Sequence, residues 1–133
     1  MRKLASIQTI QALEPIPEAD VIERAKVLGW WVVVKKGDFK VGDLVVYGEI
    51  DSLMPERPEF EFLRKSCYRN PFLTSEGEVL QRAGFRIRTV QMRGQISQGI
   101  CFPVEALRTL LPSTLEVGQD VTESLGIIKY DPP

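Results

Sequence analysis

The chain has 133 residues, 44% of them hydrophobic and 26% charged, which suits a single globular domain around one core. It has no histidine, so a Ser-His-Asp triad, a Cys-His pair and a histidine-ligated metal are all excluded. A formal net charge of -1 and a pI near 5.6 exclude bulk charge as a means of gripping nucleic acid, so any such role must come from how the charges are distributed.

The opening residues turn polar soon after Met1-Arg2-Lys3-Leu4, and nowhere does an apolar run reach about 18 residues. Neither a secretory signal nor a membrane span is expected, and the chain reads as soluble and cytoplasmic. Leu4, Ile7, Ile10 and Leu13 recur at a helical spacing, but the β-branched content and the closing Pro15 and Pro17 favour a strand. After the proline-containing turn, VIERAKVLG alternates Ile22, Arg24 and Lys26 with Glu23, Ala25 and Val27, a second strand. WWVVVKKG, from Trp30, is the plainest strand signal in the chain. Adjacent strand residues face opposite ways, so one of Trp30 and Trp31 is expected in the core and the other at least partly exposed. Val41-Gly42-Asp43 then makes a tight turn into the apolar strand 44–50.

Residues 51–84 lose this regularity and predict a long functional or capping loop with a short helix near 58–65. Strand character returns over 85–103, where alternation puts Arg86 and Arg88 on one side and the Gly94 and Gly99 region makes a turn or bulge between two strands. Pro103 opens a short amphipathic helix, VEALRTLL.

Charge is segregated along the chain. Residues 85–103 carry +3 from Arg86, Arg88 and Arg93 with no acid, and residues 26–40 carry +3 from Lys26, Lys35, Lys36 and Lys40 against Asp38. Residues 43–61 carry -5. Basic side chains on neighbouring strands can follow a phosphate backbone, and Gln95, Ser97 and Gln98 can bond phosphate or ribose oxygens; the plainer reading is a set of solubilising strand exteriors. The expected nucleic-acid contacts are therefore Lys26, Lys35, Lys36, Arg86, Arg88, Arg93, Gln95, Ser97 and Gln98. Glu49 and Asp51, two apart at a strand end, could pair as carboxylates, although Asp before a turn usually bonds its own backbone. Cys67 and Cys101 stand alone in sequence and read as inert thiols. No catalytic residue or metal site is expected.

The strings LEPIPEAD, GWWVVVKKGDFKVGDLVVYGEIDSLMP, FEFLR and IRTVQMRGQISQGICFP resemble the amino-terminal OB domain of nick-sealing ATP-dependent RNA ligases. RGQISQG is the most specific of these strings, and the resemblance covers nearly the whole chain. It implies a mainly β fold, a five-stranded Greek-key OB barrel with a long loop before the fourth strand and one or two short helices. It also implies an RNA or RNA-containing duplex as partner, and a nucleotidyltransferase domain of the same polypeptide that would hold ATP and a divalent metal, with no cofactor in this chain. On that reading residues 1–126 form the OB domain and 127–133 begin a linker. The chain by itself would catalyse nothing. The alternatives are a tRNA-binding type of OB domain, which PIPEAD also resembles, and a protein-interaction or structural barrel whose acidic 43–61 stretch docks a partner.

Overall fold

The computed structural model describes residues 3–133. Its first half is built from β1 (Ala5–Thr9), β2 (Ala12–Pro15), β3 (Ile22–Val27), β4 (Trp30–Lys35), β5 (Leu44–Gly48) and β6 (Ser52–Met54). A 3₁₀ turn, Pro58–Leu63, runs into the one-turn α1 (Arg64–Cys67), where the sequence predicts a short helix. The second half holds β7 (Tyr68–Arg69), β8 (Phe72–Leu73), β9 (Val79–Gln81), β10 (Gly84–Arg86), β11 (Val90–Met92), β12 (Gln95–Ser97) and β13 (Ile100–Pro103). The predicted amphipathic segment after Pro103 is 3₁₀, Val104–Leu110, and β14 (Ile128–Lys129) is the last strand.

The fold is mainly β, but the expected five strands are cut into fourteen among the described residues, arranged in five small sheets. β1 and β13 flank β5, β3 lies between β2 and β4, and β14-β6-β10-β7 forms a third sheet. The segment expected as a long loop is thus partly paired, since β10 bonds both β6 and β7. β14, in the stretch 127–133 expected to begin a linker, belongs to the same sheet, with Ile128 opposite Leu53.

β5 explains how one strand serves two clusters of core side chains. Its alternation sends Val46 into a cluster with Ile7, Phe60, Phe85 and Phe102, and sends Val45 and Tyr47 into another with Ile10, Ala25 and Val32. All three side chains are at most 1% exposed. Burying side chains of this size contributes about 1.5–3 kcal/mol each, which outweighs the preference of any short strand for staying open. The β2-β3-β4 sheet is joined to the β1-β5-β13 sheet at one side by the chain itself, through Ile10. On the other side the Gln98 amide donates to the Trp31 carbonyl at 3.0 Å, and the Val33 amide donates to the Ser97 hydroxyl at 2.9 Å.

Candidate nucleic-acid interface

The alternation of β3 buries Ala25 and Val27 completely and leaves Arg24 and Lys26 on the opposite, outer face. The antiparallel register sets Lys26 opposite Trp31 and Arg24 opposite Val33. Trp31 is half-buried because basic side chains cover it: the Arg24 guanidinium lies 4.0 Å and the Lys26 ammonium 5.8 Å from its ring centroid. Lys35, exposed at the end of β4, shares the parity of Trp31 and so the same face, about 13 Å further along at the usual strand rise.

Arg24 is the hub of this face. It forms an ion pair with Glu14 of β2, and it donates to the Gln95 Oε1 at 3.2 Å, which draws the β11–β12 hairpin toward β3. The sequence pattern placed Arg24 beside Lys26 on one side of β3, and that alternation was the signal that could have found it. Glu14, ten residues away in sequence, is what removes it from a simple charge sum.

The expected contacts divide into three groups. Lys26, Lys35 and Gln95 meet on the outer face just described. Arg93 occupies the hairpin tip with φ +52, next to Gly94 at φ +79, the two left-handed positions of a tight hairpin turn; Arg88 is exposed in the loop before β11. Lys36 is exposed but bends back, its ammonium donating to the Ala19 carbonyl at 3.2 Å.

Arg86 and Ser97 are engaged within the protein through their side chains, and Gln98 through its backbone. Arg86 pairs with Asp51 at 3.0 Å, and its guanidinium lies 4.4 Å from the Tyr130 centroid. Contrary to the expectation that the arginines of 85–103 share a face, β10 ends at Arg86, so strand alternation does not carry through to Arg88. Ser97 is 3% exposed and its hydroxyl is occupied by the Val33 amide. Gln98 uses both backbone groups internally, donating to Trp31 and accepting the Tyr47 hydroxyl at 2.7 Å.

Neither tryptophan enters the core, contrary to the expectation that one would. Trp30 is 42% exposed at the start of β4, beside Tyr47, Glu49, Ile50 and Gln98 in a recess of about 190 Å³. The strand begins at Trp30, so the face that is core at Val32 and Val34 is still open there.

The acids of 43–61 are largely used up locally. Glu56 and Glu61 both bond Arg64, Asp51 bonds Arg86, and Asp43 accepts the Lys40 amide at 2.8 Å. The hydrogen bond from Arg64 holds the exposed Glu61 carboxyl below the ordinary range. Burial pushes the Cys101 thiol up to about 12, so it is not a thiolate near neutral pH. Among the described residues no three Cys, Asp or Glu side chains gather as a metal-ligand set, and no step is assigned to a metal on this chain. No described helix is long and apolar enough to cross a membrane.

A family model for the OB-fold domain matches residues 4–104. The solved structure of Naegleria gruberi RNA ligase with PPi is 42% identical over 100% of this chain and 36% of that one, with a TM-score of 0.80. Mutants of the same ligase, one with ATP and Mn and one with AMP and Mn, are 43% and 40% identical over 99% of this chain, with TM-scores of 0.81 and 0.82. The chain therefore spans about a third of that ligase's length. No curated protein matches it significantly. Matched over three quarters of its residues by that family model, and similar along its whole length to part of an RNA ligase, the chain belongs to the OB-fold domain family as an OB module of the RNA-ligase type.

Proposed function

We propose that this chain is the RNA-binding OB module of an ATP-dependent RNA ligase. In this reading it holds the flank of a nicked RNA-containing duplex while a nucleotidyltransferase domain of the same polypeptide, using ATP and a divalent metal, joins the 3'-hydroxyl to the 5'-phosphate. The observation that carries the reading is the basic, aromatic outer face of β3 and β4, where Arg24 and Lys26 flank Trp31. Small OB domains bind nucleic acid on the equivalent strand face. The similarity to an RNA ligase that is nearly three times as long supports the second domain, and the ATP, AMP and Mn in solved structures of that ligase support the cofactors.

The finer fold reading goes with this. We take the fragments as the five strands of a Greek-key barrel, 5–15, 22–27, 30–35, 44–54 and 95–103, so that the long intervening segment precedes the fifth strand rather than the expected fourth, an order supported by the bonds from Ser97 and Gln98 to β4 and by the pairing of β13 with β5.

Lys26 and Lys35 neutralise phosphates, the Arg24 guanidinium stacked on Trp31 adds a flat cationic surface, and Lys36, Arg88 and Arg93 extend the positive margin. The chemistry assigned to the module is positional, since alignment of two ends converts a bimolecular step into an effectively unimolecular one. The test is salt titration of a nicked RNA duplex against the chain. Affinity should fall steeply with salt, and Lys26→Ala with Lys35→Ala should make the log-log slope shallower by about one to two. Absence of binding at low salt would return the module to the class of protein-interaction barrels.

A further inference from the structure

Beside the basic face lies a cleft of about 220 Å³ whose chemistry differs from that of the face. Val33, Ile87, Ile100 and Met92 form apolar walls, Ser66 of α1 adds a hydroxyl, and Arg88 is the only charged side chain among the described residues that line it. A pocket for a drug-sized ligand has about 300–1,000 Å³, and an apolar cavity of about 150 Å³ takes benzene, so the scale here is one heteroaromatic ring system. Arg88 is exposed and has no hydrogen bond or ion pair among the described residues, so its guanidinium remains available to an anion.

The cleft is continuous with the outer face. Val33 lines the cleft, and it lies between Trp31 and Lys35 on the same side of β4, about 7 Å from each. A strand whose phosphates follow Lys26 and Lys35 therefore passes the mouth of an apolar slot with a cation at its edge. Sites that take a base out of its stack use this combination, apolar walls for the ring faces and a positive group for the adjoining phosphate.

We propose that the cleft lined by Val33, Ile87, Met92 and Ile100 receives one unstacked RNA base next to the nick, with Arg88 on that nucleotide's phosphate and Ser66 at the base edge. This rests on the RNA-binding reading above and adds to it a site for a single nucleotide. Discrimination between paired and unpaired ends would then come from the cleft, while the sequence-independent grip comes from the face.

The test compares two nicked RNA duplexes that differ only in a one-nucleotide unpaired flap, which carries a base in one and is abasic in the other. The chain should bind the base-bearing flap about fivefold or more tightly. Ser66→Trp, an exposed substitution that fills the cleft, should abolish that preference while leaving the salt slope on a flush nicked duplex unchanged; Arg88→Ala should weaken flap binding in both. Thermal melts of both variants establish that they fold. Equal binding of the two flaps, or a preference that survives Ser66→Trp, overturns the inference and leaves the RNA-binding reading standing. Competition by AMP as effective as that of the base-bearing flap overturns the assignment to RNA in favour of a free nucleotide. No duplex bound at low salt overturns both readings.

Discussion

The Ser97 hydroxyl accepts the Val33 backbone amide at 2.9 Å, so a side chain whose sequence context suggests contact with RNA instead fastens β12 to β4. Ser97 is only 3% exposed and that bond is made, so its side chain is committed chiefly to the fold. Ser97→Ala leaves the Val33 N–H without its acceptor and should cost about 1–2 kcal/mol in denaturant unfolding. RNA affinity per folded molecule should not move; a variant with native stability and weakened RNA binding would restore Ser97 to the interface.

Glu14 masks Arg24, and removing it should strengthen binding. The pair is partly exposed, with side chains 30% and 47% accessible, so solvent screening keeps its contribution to stability within about 1 kcal/mol. In Glu14→Gln the guanidinium stays over Trp31 but loses its carboxylate, and affinity for a nicked RNA duplex should rise by roughly twofold to fivefold at low salt. An unchanged or lower affinity would show that Arg24 serves only to cover the tryptophan.

The contrast between these two residues shows what the sequence could reveal. Local signals worked where a residue's partners are its neighbours in the chain: the Val41-Gly42-Asp43 turn, the strand from Trp30 and the helical turn near Pro58 all form as composition and spacing predict. They failed where a partner comes from far away. Ser97 meets Val33 across 64 positions, Gln95 meets Arg24 across 71, and Arg86 meets Asp51 across 35, and no periodicity within a strand encodes such pairings. Alternation over 85–103, with its one turn or bulge near Gly94 and Gly99, also missed the break after Arg86: the chain breaks at Ile87, at the Arg93-Gly94 turn and at Gly99, and its strands serve three sheets.

Gly99 is one of those breaks and admits no side chain. Its φ is +102, and a Cβ there would lie 2.6 Å from the Tyr47 ring and hydroxyl and 2.7 Å from the Gly48 carbonyl. Tyr47 is itself buried and bonded to the Gln98 carbonyl, so it has little room to yield. Gly99→Ala should destabilise the fold by about 3 kcal/mol or more, combining left-handed strain with overpacking. A loss under about 1 kcal/mol by chemical denaturation would mean that the ring moves freely.

Asp120 predicts an acid-sensitive fastening of the amino-terminal strand. The Thr122 hydroxyl and backbone amide both donate to its carboxylate, at 2.6 and 3.0 Å, and those hydrogen bonds, from side chain first and backbone second, lower its pKa. Thr122 in turn accepts the Leu4 and Ala5 amides at 3.1 Å each. A carboxyl with a depressed folded pKa adds stability that is fully present above its unfolded value, about 3.9, and is lost as pH falls through the folded value. The stability gap between the native chain and Asp120→Asn should therefore be constant near neutrality, on the order of 0.5–1 kcal/mol after solvent screening, and should close below about pH 4. A gap that persists at pH 2.5 would show that the carboxylate charge is not what holds Thr122.

Arg86 tests whether the basic residues act as one surface or as separate fasteners. Its ion pair with Asp51 and its position over Tyr130 hold the carboxyl-terminal segment against the domain, where the Tyr130 amide donates to the Asp51 carbonyl at 2.7 Å and the Asp131 amide to Gln81 at 2.7 Å. Tyr130 also lies against Phe72, at 6.1 Å between centroids. With one guanidinium engaged by a carboxylate and a ring, little of its charge is left for phosphate, so Arg86→Ala should leave the salt slope of RNA binding unchanged. Its effect should instead appear as faster amide exchange at Tyr130 and Asp131 and a stability loss of about 1 kcal/mol, kept small because both partners are about a third exposed. If the slope became shallower by about one, as expected for a lost phosphate contact, Arg86 would belong with Lys26 and Lys35, and the docking of the tail would be a secondary use of the same side chain.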